Sequence, residues 1–235
     1  MERHAIKAQS ITQKFGAFTA LNNVSFELKE GEVHCLAGEN GSGKSTLIKV
    51  INGVNVPEPG GSVSFHGKPA TARVFPNEAK RHGVHVIWQD LALFPDLTVA
   101  ENISFDGFVA NPFGVRREKN NRQRAAEVIA RIGIALDPDA RLGDLSIAKR
   151  QIVAICRVLV ADARIIFMDE PTASLTRKET EALLTIVRKL SSEGISIVFV
   201  SHRLAEVLDV CARVTVLKDG EFVGTFATEG IVLAP

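Results

Sequence analysis

The sequence predicts an α/β fold organised around a buried parallel sheet. Three observations carry that expectation. Four short runs, VHCLA (33–37), VHVIW (84–88), RIIFMD (164–169) and SIVFV (196–200), are apolar throughout instead of alternating, as strands covered on both faces must be. The last two of these runs lead into helical patterns. A glycine-rich stretch, GENGSGKST (38–46), follows the first run directly. With 46% apolar composition over 235 residues, the chain can bury the core such a fold requires.

Taken in order, AIKAQSI, NVSFELKE and the later SVSFHGK are broken by Gly and Asn and read as short antiparallel strands of a side sheet. STLIKVINGV, after the glycines, has helical periodicity. Between Asp90 and Asp162 the pattern is mostly helical. It includes RREKNNRQRAAEVIARIGI, where Ala125, Val128, Ile129 and Ile132 share one face and the opposite, basic face reads as solvated surface. QIVAICRVLV carries a stripe at Ile152, Ile155 and Leu159. In TRKETEALLTIVRKLSSEG, Thr176 with Glu179 forms a capping box, Leu183, Val187 and Leu190 make the apolar stripe, and Gly194 stops the helix. RVTVLKDGEFVGTF reads as a hairpin turning at Asp219 and Gly220. The expected organisation is a single domain over 1–235. Its side sheet lies mainly within 1–35 and 60–70, and its helical subdomain spans about 90–162.

Composition narrows the class. Lys plus Arg (28) nearly balance Asp plus Glu (27), so no global field gathers nucleic acid or acidic lipid, and nucleic acid is not an expected partner. Cys35, Cys156 and Cys211 lie far apart without metal-ligand spacing and read as small core residues in a reducing compartment. No signal peptide opens the chain, and no apolar run approaches the ~18 residues needed to span a bilayer. Alone, the chain is expected to be soluble and cytosolic.

The chemistry begins at Gly38-x-x-x-x-Gly43-Lys44-Ser45, the P-loop spacing, placed between a predicted strand and a predicted helix. Glycines let successive N–H groups turn inward as an anion nest, and the following helix adds its N-terminal partial charge. Lys44 is expected to reach the β- and γ-phosphates and Ser45 to ligate Mg²⁺. Around them Gly38, Asn40, Gly41, Ser42, Gly43 and Thr46 complete the candidate nucleotide cradle. Asp169, ending an apolar strand, would be costly to bury without a cation, and a Mg²⁺ shared with Ser45 supplies one. Glu170 is expected to point to the other side of the extended chain and polarise a water attacking the γ-phosphate.

Together these residues resemble the ATP-binding subunits of ABC transporters, over nearly the whole chain. VIWQD (Gln89) is similar to that family's glutamine loop, LSIAKRQ (145–151) to its signature segment, ASLT (173–176) to its D-loop and VSHRL (His202) to its switch histidine. The resemblance implies a P-loop nucleoside triphosphatase core with a parallel sheet, an antiparallel β side sheet and an α-helical signature subdomain, using ATP and Mg²⁺. It implies that Gln89 senses the metal or the lytic water at the hinge to the helical insert. By the same resemblance His202 contacts the γ-phosphate, and Phe15, in KFGAFTAL, stacks on adenine.

The signature departs from the usual LSGGQ. Ile147 and Ala148 stand at its glycine positions, although Ser146 can still cap the helix and offer a hydroxyl to a phosphate. In this family two ATPase units pair head to tail, so this segment would complete another unit's site. An intact P-loop with an altered signature resembles the N-terminal half of the tandem ATPases of monosaccharide importers. Those are longer than this chain, so the second half is expected to lie on another polypeptide or to have been removed, or else the chain pairs with itself and turns over slowly. The implied function is an ATPase at the cytoplasmic face of the plasma membrane that powers uptake of a small carbohydrate. Its implied partners are membrane permease subunits, met at Leu91, Leu93 and Phe94, and indirectly an extracytoplasmic sugar-binding protein. Two alternatives stay open: a slow or regulatory nucleotide-binding half of an asymmetric pair, and a non-transport member of the family.

Overall fold

The computed structural model of the chain describes residues 3–71, 73–110, 118–201 and 203–229. Its centre is a six-stranded sheet of β3 (Val33–Ala37), β6 (Val84–Ile87), β7 (Ile165–Asp169), β8 (Ser196–Val200), β9 (Arg213–Lys218) and β10 (Glu221–Ala227), in the order β10-β9-β3-β8-β7-β6. All neighbours are parallel except the β9–β10 hairpin. That hairpin turns at Asp219 (φ 50°) and Gly220 (φ 78°), two left-handed residues whose twist matches the flanking strands.

The unbroken apolar runs are explained by what covers each face. Along β7, Ile165 and Phe167 pack with one cluster while Ile166 and Met168 pack with the other; along β8, Val198 and Val200 alternate with Ile197 and Phe199 in the same way. One face carries α3 (Val99–Ala110), α4 (Glu118–Ile132), α5 (Ile147–Val160) and α6 (Arg177–Ser192). The other carries α1 (Lys44–Ile51), α2 (Pro76–Arg81) and a second sheet, ordered β2-β1-β4-β5. Each fully buried aliphatic or phenyl side chain in these layers is worth about 1.5–3 kcal/mol, so both layers contribute to holding the strand ends in place. The Thr176–Glu179 capping box is present, and α6 ends ahead of Gly194 (φ 91°).

The side sheet differs from the expected short strands. β1 (His4–Phe15) and β2 (Phe18–Lys29) are each 12 residues long and antiparallel, with β4 (Ser62–Phe65) and the two-residue β5 (Lys68–Pro69) beyond them. Polar breaks in the sequence are absorbed within the ladder. Ser10 (φ 53°) and Asn23 (φ 51°) take left-handed conformations beside register shifts, as bulged residues do. The six-residue α2, starting at Pro76, was not expected from periodicity; it is too short to show any. The basic face of α4 is largely paired, Arg122 with Asp139 and Arg131 with Glu193. The three cysteines are free and buried. Among the described residues no helix is long and apolar enough to cross a membrane.

Candidate functional site

The site lies beyond the C-terminal ends of β3 and β7, which flank β8 in the sheet, where open α/β sheets collect their ligand-binding loops. The loop leaving β3 enters α1 through Gly43 (φ 101°), and no side chain caps that helix N-terminus. Its first turn also carries no acid. The arrangement leaves the helix's positive end to an anion instead of a protein carboxylate.

Two glycines are fixed by packing. A Cβ on Gly43 would stand 2.7 Å from Leu21 Cδ2 and 2.8 Å from the Ala20 carbonyl; one on Gly38 would stand 2.3 Å from the Leu217 carbonyl. The β9–β10 turn therefore presses against the loop, and the Gly220 N–H donates to the Ser42 carbonyl at 3.2 Å. Lys44 Nζ donates to the Gly38 and Glu39 carbonyls at 2.7 and 2.8 Å, folded over the loop it would guard. Burial lowers its pKa, opposed by the negative charges of Glu170 and Asp169.

A cleft of about 300 Å³ brings together Asn40, Gly41, Gly43, Lys44, Ser45 and Thr46 of the loop, Gln89 after β6, Asp169 and Glu170 after β7, and Phe15, Phe18 and Ala20 of the β1–β2 hairpin. Burial and the neighbouring Glu170 raise the Asp169 pKa, with Lys44 pulling against them. A half-buried carboxylate pair beside one lysine, with the Ser45 hydroxyl and the Gln89 amide on the same cleft, is an oxygen donor set suited to a hard divalent cation. Phe15 is 51% exposed and lines the cleft, so it is not a core residue. Its cross-strand partner Phe18 lines it too and was missed from sequence. Only strand pairing brings Phe18 there.

One expectation falls differently, and three of the predicted residues do not line this cleft. Glu170 does not continue an extended chain: β7 ends at Asp169 and Glu170 is left-handed (φ 45°), its N–H bound to the Val200 carbonyl at 2.9 Å. Such a backbone is uncommon for a non-glycine residue and is held by its surroundings. As a result Asp169 and Glu170 face one cleft rather than opposite sides. Ser42 is buried at 3% exposure, its N–H is taken by the Glu39 carbonyl, and its side chain does not line the cleft. Gly38 lies behind the lining, contributing its carbonyl to Lys44. Ser146 caps α5, accepting from the Lys149 N–H at 3.4 Å, and lies off this cleft; its expected role is in another unit's site. His202 lies outside the described residues.

A glycine-rich loop at a strand end, an uncapped helix, a lysine and a paired carboxylate define a P-loop nucleotide-binding protein. The ABC transporter family matches residues 21–173, well over half of the sequence, and the chain belongs to that family. It is 45% identical to the ribose import ATP-binding protein RbsA 1 of Rubrobacter xylanophilus, over 97% of this chain and 45% of that protein. It is 44% identical to RbsA of Geobacillus kaustophilus, over 94% and 44% respectively. The chain thus spans a little under half the length of these curated relatives. Among solved structures, the ATP-binding cassette MJ0796, in a dimeric post-hydrolysis state bound to ADP and Pi, superposes with a TM-score of 0.80. That match is at 28% identity over 96% of this chain and 100% of the other. A nucleotide-free cassette from an ABC transporter gives a TM-score of 0.85 at 27% identity, over 95% and 91%.

Proposed function

We propose that the chain is the ATP-binding and hydrolysing unit of an importer for a small carbohydrate, ribose-like in class. The observation that carries the reading is the single cleft joining Lys44, Ser45, Gln89, Asp169 and Glu170 beside the exposed Phe15. The ribose import names of relatives at 44–45% identity supply the transport class. Loop amides and Lys44 bind the β- and γ-phosphates, and Phe15 stacks on the base without polar readout, which implies tolerance among nucleotides. Ser45, Asp169 and Gln89 would hold Mg²⁺, which when bound neutralises charge on the transferring phosphoryl group. Glu170 orients and deprotonates the attacking water, and its left-handed backbone turns its side chain toward the same cleft as the phosphate-binding loop. His202, by its family position, assists at the γ-phosphate.

Permease docking fits a groove of about 240 Å³ at the free edge of β6, lined by His85 to Trp88, Asp90 to Ala92, Ala154, Arg157 and Val158. Leu91 lines it, Leu93 packs against the core beside it, and Phe94, 41% exposed, packs against Phe105 with ring centroids 4.3 Å apart and planes tilted by 33°. Its lining residues Trp88 and Asp90 flank Gln89 directly in the sequence, so a change at the γ-phosphate has a short path to it. On this reading the unit works at the cytoplasmic face of the membrane, with a second ATPase unit and an extracytoplasmic sugar-binding protein as further partners.

One observation favours a slower variant of the reading. Ile147, at the first position of α5, is 53% exposed where the family's glycine admits a partner's nucleotide, so a site completed by this segment would turn over poorly. Single-turnover hydrolysis by Glu170→Gln tests the main reading: loss of hydrolysis with retained ATP binding is expected, and undiminished hydrolysis refutes the assignment. Specific activity measured against protein concentration separates pairing from independent action, and a constant value into the nanomolar range contradicts obligate pairing.

A further inference from the structure

Glu170 occupies a left-handed backbone conformation that is unfavourable for a non-glycine residue and persists only where neighbours over-determine it. One restraint comes from β8, through the Val200 carbonyl. A second set lies on the far side of the loop. Arg203 donates through Nη2 to the Ala173 carbonyl at 3.0 Å and through Nη1 to Glu206 Oε1 at 3.2 Å. Glu206 Oε2 accepts from the Thr172 hydroxyl at 2.5 Å, and Thr172 is 1% exposed. The Ala173 N–H returns to the Glu170 carbonyl at 3.2 Å, closing the circuit. Arg203 is itself anchored, its N–H donating to Ser201 Oγ at 3.0 Å. Two side chains from the start of α7 (Leu204–Val210) and the turn before it thus grip two consecutive residues of the loop that follows Glu170.

We propose that Thr172, Arg203 and Glu206 form a latch that positions Glu170 for hydrolysis, tying its loop to the turn after β8. All three are positioning residues that touch no substrate, and the claim rests on the ATPase reading above. The charge-assisted contacts of Arg203 and Glu206 are the stronger kind, and the buried Thr172 hydroxyl has no room for an alternative water-exposed role. Because the latch acts on geometry at the water and not on the phosphate cradle, it separates turnover from affinity.

The test pairs Thr172→Val, which keeps shape but removes the hydroxyl, with Thr172→Ser, which restores it. Single-turnover hydrolysis, ATP affinity and amide hydrogen exchange are measured on the full chain. Thr172→Val is expected to slow hydrolysis by roughly ten- to a hundredfold, leave ATP affinity within about twofold, and speed exchange of amides 173 and 175 but not of α1. Thr172→Ser is expected to recover most of the rate. An unchanged rate, an equal fall in affinity, or no rescue by serine would overturn the latch. Should Thr172→Val fail to fold, Arg203→Ala, at a half-exposed side chain, carries the same expectations for rate, affinity and exchange. The two readings fail separately. Hydrolysis untouched by Glu170→Gln removes the base, whereas unchanged exchange over 170–176 in Thr172→Val removes the latch.

Discussion

Gly38 and Gly41 both sit in the phosphate loop, yet they meet different surroundings, and the contrast tests whether the loop is held from below by β9. At Gly41 (φ 84°) an added Cβ meets nothing within 4 Å, so Gly41→Ala incurs only the left-handed backbone strain, about 1 kcal/mol. At Gly38 the Cβ would stand 2.3 Å from the Leu217 carbonyl and 2.5 Å from Ser42 Oγ. Relief to an ordinary 3.4 Å contact requires the loop or β9 to move by about 1 Å. Backbone N–H bonds to a phosphate oxygen weaken steeply over that displacement, and each charge-assisted bond is worth about 1.5–3 kcal/mol. Losing one or two implies a fall in ATP affinity of roughly ten- to ten-thousandfold for Gly38→Ala, against less than about threefold for Gly41→Ala. Binding is read by titration with a fluorescent ATP analogue, and stability by urea unfolding of the same preparations. If the two variants lose affinity equally, the packing of the β9–β10 turn does not shape the loop and the reasoning fails.

The other predictions probe charge and stacking. Burial and Glu170 raise the Asp169 pKa, so its ionised form is disfavoured in the folded chain. That disfavour is absent at low pH and appears as pH rises through the raised value. Asp169→Asn is therefore expected to raise the Tm of the nucleotide-free chain at neutral pH while abolishing the extra stabilisation by Mg²⁺ with ATP, and a lowered Tm would contradict this. Burial alone would push Glu32 up, but hydrogen bonds from His34, Arg213 and the Lys29 N–H hold it at about 2. Its contribution is then present above the ordinary carboxylate value and lost as pH falls from there toward 2. Glu32→Gln is expected to cost about 3 kcal/mol at pH 7 in urea unfolding and to flatten the acid limb of the stability curve. Phe15→Ala is expected to weaken ATP and GTP by similar factors of roughly 5- to 150-fold, the value of one stacked base, as read by calorimetry. A loss confined to ATP would mean that polar groups read the base.

Legibility in the sequence followed the range of the interactions. VHCLA, SIVFV and the capped helix at Thr176 were readable because one segment's own pattern decides them: burial on both faces, or a hydroxyl and a carboxylate three residues apart. The strand order β9-β3-β8-β7 was not readable, because it depends on which distant runs pair. Asn23 opens the second run in the sequence, although in the sheet β2 continues through it and bulges absorb both Asn23 and Ser10. A propensity argument sees the cost of such a residue but not the neighbours that accommodate it.

The site divides along the same line. Lys44, Ser45, Asp169 and Glu170 were legible because phosphate and cation chemistry demands those residue types at fixed local spacings. What holds them in place was not. Leu217 lies 179 positions from Gly38 yet its carbonyl is what a Cβ there would strike, and Arg203 reaches Ala173 across 30 positions. Neither contact leaves a mark on composition or period, since an arginine after a strand and a leucine in one both read as ordinary. Even Glu170 was placed on the wrong side of its strand, because alternation assumes the extended chain continues, and here β8's Val200 carbonyl turns it one residue early. Motifs therefore report what touches the ligand, while the precision of that touch is set by pairs that only the folded topology brings together. The Thr172–Glu206–Arg203 circuit and the Gly38–Leu217 contact are where substitutions far from any motif should alter turnover or affinity first.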